Sequence, residues 1–138
     1  MVADQIIAAM AELALFKGDL PEATELAQTA LSMAQASGNI FVAGIVRGIL
    51  GQVLARLEPP QWEQAEEQMA ESLHLLESGQ IRLYAARTRV AWGNMCCQHG
   101  DLESARQHWL KAAAQFKASK LSKELEQVQA LIESLGVT

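Results

Sequence analysis

A helical hairpin pattern that occurs three times is the feature of this sequence that most constrains its fold. In residues 89–112, two stretches with apolar or small residues at every third or fourth position flank a Gly-Asp turn, which is the spacing of amphipathic helices. The residues that carry the pattern are Trp92, Gly93, Cys96, Gly100, Asp101, Ala105, Trp109 and Ala112. The pattern recurs upstream, and the equivalent alanines, Ala23, Ala65 and Ala105, are 42 and 40 residues apart. This period predicts stacked helical hairpins rather than a single compact core.

Gly93 lies inside a predicted helix, where glycine costs about 1 kcal/mol relative to alanine. Its expected use is to let two helices approach closely. We predict that Gly93 packs against Ala105 of the following helix, with Trp92 and Trp109 filling the space on either side. Gly100-Asp101 then supplies the turn and an N-cap oxygen for the second helix.

The order of these residues resembles the signature of the tetratricopeptide repeat, with Cys96 where a tyrosine is usual. The resemblance covers about residues 2–118. The implied parts are repeats at about 2–38, 39–79 and 80–118 and a capping helix at about 119–136. It implies an all-α fold, a right-handed α-solenoid of three helix-turn-helix hairpins plus a C-terminal capping helix, about seven helices in a single domain over 1–138.

The period is longer than the 34 residues typical of this repeat family. The helices should therefore be about a turn longer than usual. In this respect the chain resembles the long-repeat arrays of bacterial signalling ATPases, transcription activators and cyclases.

Apolar periodicity and capping residues set the expected helix ends. The first helix is predicted over about residues 3–17, the third over 40–57 and the last over 121–135. Asp19 is expected to cap the second helix, and Gly38-Asn39 is expected to end it. The last helix has one apolar stripe and an otherwise polar surface, as a terminal cap requires.

Charge and cysteine usage exclude several classes of function. The net charge of -5 and the pI of about 5.2 argue against nonspecific nucleic-acid binding, which needs a basic surface. The two cysteines, Cys96 and Cys97, are adjacent and imply no disulfide framework, as in proteins of a reducing cytoplasm.

No targeting or membrane segment is expected. The N-terminal residues lack a basic segment followed by an apolar run, so the sequence predicts no signal peptide. The most apolar stretch, residues 40–57, contains Arg47 and Arg56 and is interrupted before it could span a bilayer. Its three glycines indicate close helix packing instead. We therefore predict a cytoplasmic protein that does not bind membranes.

The first predicted helix is apolar on more than one side. One stripe is formed by Ile6, Ala9 or Met10, Leu13 and Phe16 or Lys17, and further apolar surface on other sides comes from Ile7, Ala14 and Leu15. A self-sufficient repeat array needs polar terminal faces. We therefore expect either that further repeats precede this helix or that a partner chain covers it. The second alternative predicts a homodimer through the N-terminal helix.

The sequence offers no recognisable reactive centre. It contains no phosphate-binding glycine loop, dinucleotide-binding pattern or metalloprotease helix. Cys96, Cys97, His99 and His108 lie close in sequence, but zinc sites usually show two separated ligand pairs. Cys97 lacks a partner base at a recognisable spacing. We therefore expect ordinary packing for these residues and no enzyme activity, metal or cofactor.

The resemblance also implies where a partner binds, because the first helix of each hairpin lines the concave face in this repeat family. The implied groove positions with polar or large side chains are Gln5, Glu12, Phe16, Gln52, Arg56, Arg87, Asn94 and Gln98. The remaining groove positions are Ala8, Leu15, Ile45, Gly48, Ala55, Val90 and Cys97. The arginines and amides among them are suited to hold a carboxylate or a peptide backbone. The alternative is that these side chains are merely solvated.

One functional subtype of the family can be tested by comparing the residues at four positions. Tetratricopeptide domains that clamp the acidic C-terminus of chaperones use lysine and asparagine in the first repeat and lysine and arginine in the third. The matching positions here are Ala8, Glu12, Arg87 and Ala91, so that only Arg87 is basic. The chain is therefore not expected to be a chaperone clamp.

Together these features predict a non-enzymatic scaffold that binds a peptide or a protein surface in its concave groove. One alternative is a regulatory or sensor segment of a larger signalling ATPase, cyclase or transcription activator. Another is a self-association module that uses the first helix.

Overall fold

A computed structural model describes residues 3–136, and over this range the chain is all-helical without β-strands. The helices are α1 (Ala3–Lys17), α2 (Leu20–Ser37), α3 (Ile40–Arg56), α4 (Trp62–Ser78), α5 (Arg82–His99), α6 (Leu102–Ala118) and α7 (Ser122–Leu135). The predicted all-α fold is thereby confirmed. The ends of α1, α3 and α7 agree within one residue with those that the sequence predicts.

The helices form two compact units, the first ending at Ile81 and the second beginning at Arg82. In the first unit, α1 and α2 form one hairpin and α3 and α4 form another, while both α1 and α2 also pack on α3. In the second unit, α5 and α6 form a hairpin and α7 packs on α6. Each unit is thus built from the repeated hairpin.

Short polar side chains and glycine determine where the helices begin and end. The N-cap residues Asp19, Asn39 and Asp101 each accept a hydrogen bond from the backbone N–H three residues ahead, at 3.2, 3.2 and 3.1 Å. Hydrogen bonds from Ser104 also lower the pKa of Asp101. Gly38 ends α2 with a φ of 72°, a left-handed conformation that favours glycine.

Asn39 also ties the second hairpin to the first. Its Nδ2 donates to Oδ2 of Asp4 at 3.0 Å, while Oδ1 of Asp4 accepts from the backbone N–H of Gln5 at 2.9 Å. The side chain of Asp4 is buried, so these bonds replace those that water would make. Asn39 therefore caps α3 with its oxygen and holds the start of α1 with its nitrogen.

We expect Asn39→Ala to lower the free energy of unfolding by about 1–2 kcal/mol, because it removes the cap of α3 and a hydrogen bond to a buried carboxylate. Urea unfolding followed by circular dichroism measures the loss. Asp19→Ala is the matched control, since it removes an exposed cap in the same unit. Equal losses for the two variants would contradict a stabilising role for the Asp4–Asn39 bond.

The side chain that packs closest to Gly93 is not the one that the sequence predicts. A side chain added at Gly93 would first meet the indole of Trp109, not the methyl of Ala105. The Trp109 ring is almost fully buried, and its Nε1 donates to the carbonyl oxygen of Val90 at 3.1 Å. The bulky residue of α6 therefore occupies the gap above the glycine of α5, instead of flanking it.

The same arrangement occurs in the first unit. A side chain added at Gly51 of α3 would meet Met69 of α4, and these two residues align with Gly93 and Trp109. The aligned residues of the first hairpin, Ala11 and Ala27, are both fully buried. Where the first helix of a hairpin has glycine at this position, the second helix has a large residue. Where the first helix has alanine, the second helix also has alanine.

α7 has the two-sided character that the sequence predicts. Val128 is buried and Ile132 is half-buried, whereas Glu126 and Gln129 are exposed. The helix packs its apolar side on α6, so that its polar side faces water.

Candidate interaction surfaces of α1, α3 and α5

Three of the predicted groove residues, Gln5, Glu12 and Phe16, lie on α1 and are exposed. The Phe16 side chain is 87% exposed, although it is the largest apolar side chain of this helix. Ala8 and Leu15, which the resemblance also places in the groove, instead belong to the core of the first unit. They lie on the face of α1 that packs into this unit, so they cannot line a surface.

On α3, Arg56 is exposed and Gln52 is half-buried. Nη1 of Arg56 donates to the carbonyl oxygen of Leu15 at 3.2 Å. This carbonyl belongs to the last turn of α1, where backbone oxygens lack partners within the helix and a positive charge is favourable. Nε2 of Gln52 donates to the carbonyl oxygen of Gly48 in its own helix at 3.3 Å. Arg56 therefore links α3 to the end of α1.

On α5, Arg87, Asn94 and Gln98 are exposed. Arg87 forms a two-pronged ion pair with Glu124 of α7, with distances of 3.0 Å from Nε and 3.1 Å from Nη2. This pair lowers the pKa of Glu124. The guanidinium also lies 5.4 Å from the centre of the Tyr84 ring. Arg87 thus has partners within the second unit.

Five of the predicted residues lie on the first unit. Gln5, Glu12 and Phe16 on α1 and Gln52 and Arg56 on α3 belong to two helices that pack on each other. We call the surface formed by these five residues the α1–α3 surface. The three residues of α5 form a separate set on the second unit.

A second surface of α1 is apolar. Ile6, Met10 and Leu13 are exposed by 55%, 49% and 52%, and their spacing places them on one side of the helix. We call these three residues the outer stripe. The sequence indicates that α1 is apolar on more than one side, and the structure shows that this side is not covered by any element of residues 3–136.

His108 and Trp92 form a stacked pair between α6 and α5. Their ring centres are 4.3 Å apart and the ring planes differ by 22°. Burial, together with the nearby positive charges of Arg89 and Lys111, lowers the pKa of His108 to about 4. The charge of Asp101 opposes this shift. His108 is therefore neutral at physiological pH.

The two cysteines of α5 differ in their exposure. Cys96 is buried and Cys97 is half-buried, and neither forms a disulfide. Within residues 3–136, no group of three or more histidine, cysteine or acidic side chains is placed to hold a metal ion. Over the same range, no helix combines the length and apolar character needed to cross a membrane.

Comparison of the chain with protein-family models, with curated proteins and with solved structures gives no match.

Proposed function

We propose that the chain is a tetratricopeptide-like, right-handed α-solenoid that binds a peptide or a protein surface and has no catalytic activity. The repeat assignment is supported by the glycines that face a large residue in two hairpins, Gly51 with Met69 and Gly93 with Trp109, and by the buried alanines at the aligned positions of the first hairpin. The observation that carries the binding proposal is the α1–α3 surface. There, two packed helices present an aromatic ring, two amides, an acid and a base to solvent.

The α1–α3 surface suits an extended peptide segment. The side-chain amides of Gln5 and Gln52 each contain a donor and an acceptor, the two groups that a peptide backbone presents at every residue. Phe16 offers an exposed ring against which an apolar peptide side chain can be buried. The peptide would therefore gain hydrogen bonds along its backbone and one apolar anchor.

Arg56 adds a positive charge that is already held in position. The guanidinium has five N–H donors, and its Nη1 is directed to the carbonyl of Leu15. A guanidinium fixed in this way loses little side-chain entropy when it binds a carboxylate. Arg87 instead pairs with Glu124, so the binding proposal does not depend on it.

The test begins with selection of binders to the purified chain from a displayed library of random peptides. The affinity of a selected peptide is then measured by fluorescence anisotropy. We expect Phe16→Ala to weaken binding by about 10-fold or more, as for an interface anchor. We expect a smaller loss for Gln52→Ala, which removes hydrogen bonds near the edge of the contact.

Gln28→Ala and Gln64→Ala are the matched controls, because both residues are exposed on the second helix of a hairpin in the same unit. Neither variant should change the affinity. Binding that is insensitive to Phe16→Ala and Gln52→Ala but lost in either control would overturn the proposed surface.

A further inference from the structure

The outer stripe of α1 is a helix-packing face without a helix on it. Its three large apolar side chains lie within two turns, with Ala9 between them. About half of each side chain is in water. Exposed apolar side chains that lie together on one side of a helix are a candidate site of association.

The repeat identifies what normally covers this face. The residues of α3 that lie 40 positions after the outer stripe are Val46, Leu50 and Val53. Val46 and Val53 belong to the core that α3 shares with α1 and α2, and Leu50 packs against that core. The face that is buried on α3 is therefore exposed on α1. Its residues have the spacing of a face that packs on another helix.

The chain itself supplies a matching surface only in a second α1. Within residues 3–136, the other exposed large apolar side chains are Phe16, Ile40, Leu102 and Leu110. Phe16 belongs to the α1–α3 surface and not to the outer stripe. Ile40 stands at the start of α3, and the two leucines are separated by eight positions on α6, so they form no continuous stripe. The outward side of α7 is polar. Among contacts between two copies through the described residues, a contact between two outer stripes buries an apolar stripe on each copy.

We propose that two copies of this chain form a symmetric dimer by packing the outer stripes of their α1 helices against each other. In such a contact the same surface is used by both copies. In an antiparallel pair with Met10 at the two-fold axis, Ile6 of one copy faces Leu13 of the other. This proposal does not rest on peptide binding, since Gln5 and Glu12 lie on a different side of α1.

Charge and size favour this arrangement. In the antiparallel pair the two Lys17 residues lie about 20 Å apart, at 1.5 Å of rise per residue. A parallel pair would instead place the two Lys17 side chains, which follow the outer stripe on the same side of the helix, beside each other. A contact between two helices of 15 residues is small compared with the standard size of specific interfaces, so the dimer should be in exchange with the monomer.

Sedimentation equilibrium of the full chain over about 5–500 µM covers the affinities expected for a small interface. We expect the wild type to pass from monomer to dimer over this range. Met10→Glu would place two carboxylates together at the axis, and we expect it to weaken association by about 30-fold or more. Because Met10 is half in water, circular dichroism should show that the variant remains folded.

Gln28→Glu introduces the same charge at an exposed position of α2 and should leave association unchanged. A wild type that stays monomeric over the whole range would overturn the proposal. So would a dimer that is unaffected by Met10→Glu, because another face would then form the contact. Association that continues beyond the dimer would indicate a head-to-tail contact and would equally contradict it.

Disulfide trapping tests the geometry directly, in a chain in which Cys97→Ser removes the partly exposed native thiol. Met10→Cys places two thiols at the axis, within the short distance that a disulfide bridges. We expect this variant to form covalent dimers under mild oxidation, while Gln28→Cys on α2 remains monomeric. Equal trapping of the two variants would reflect random collision and would contradict the antiparallel contact.

Discussion

Trp109→Ala is expected to lower the free energy of unfolding by about 3–5 kcal/mol, the range for removing a large buried aromatic side chain. Trp109 is 2% exposed and is the largest fully buried side chain of the described residues. Its loss empties the space above Gly93 and removes the hydrogen bond to the carbonyl of Val90. Urea unfolding followed by circular dichroism measures this loss, because tryptophan fluorescence would change with the substitution itself.

The contact between Trp109 and Gly93 makes a sharper prediction about the glycine. Gly93→Ala should destabilise the wild type by about 1–2 kcal/mol, because overpacking against the rigid ring outweighs the better helix propensity of alanine. In the Trp109→Ala background the ring is absent. There, the same substitution should stabilise the protein by up to about 1 kcal/mol, so that its effect changes sign.

Ala114→Gly is the control for helix propensity alone, because Ala114 is exposed on α6 of the same unit. It should cost about 1 kcal/mol in both backgrounds. If Gly93→Ala were neutral or stabilising in the wild type, the close packing of Trp109 on this glycine would be wrong.

The sequence predicts the helices well because their ends are determined locally. Asp19, Asn39 and Asp101 cap helices by bonding to a backbone N–H only three residues ahead. Gly38 ends α2 through its own backbone conformation. Each of these signals can be read from a few consecutive residues. Apolar periodicity over a whole helix then confirms them.

The residue that packs on Gly93 could not be predicted in the same way. The glycine indicates that two helices approach closely, but which side chain enters the gap depends on the crossing of the helices and on side-chain rotamers. The repeat alignment places both Ala105 and Trp109 on the facing side of α6. Only the structure distinguishes between them.

The roles of the two arginines also depend on distant contacts. Arg56 binds the carbonyl of Leu15, 41 residues earlier, and Arg87 binds Glu124, 37 residues later. No local pattern connects either pair. A family resemblance can therefore place both arginines on the first helix of a hairpin without showing that each already has a partner within the chain.

The pH dependence of stability should report on the stacked pair of His108 and Trp92. An unfolded histidine binds a proton at about pH 6.5, whereas folded His108 stays neutral to about pH 4. Between these values the unfolded state binds more protons, so stability falls as the pH falls from 6.5 to 4. Above pH 6.5 the side chain is neutral in both states and contributes no pH dependence.

The expected loss over this window is about 2 kcal/mol, less than the full shift would give at 1.36 kcal/mol per pKa unit, because water screens the partly exposed ring. The lowered pKa values of Asp101 and Glu124 act in the same direction. However, their reference values are 3.8 and 4.5, so their contributions are lost mainly below the window.

His108→Phe is the decisive variant, because phenylalanine can stack on Trp92 but cannot take up a proton. It also removes Nδ1, a buried atom without a hydrogen-bond partner among the described residues, so stability at pH 7 should be equal or slightly higher. Urea unfolding at a series of pH values should give a profile that is flatter than the wild type between pH 6.5 and 4. His74→Gln, at an exposed position of α4, should retain the wild-type profile. If His108→Phe also retained it, His108 would be accessible to protons in the folded protein and its stack with Trp92 would not hold it neutral.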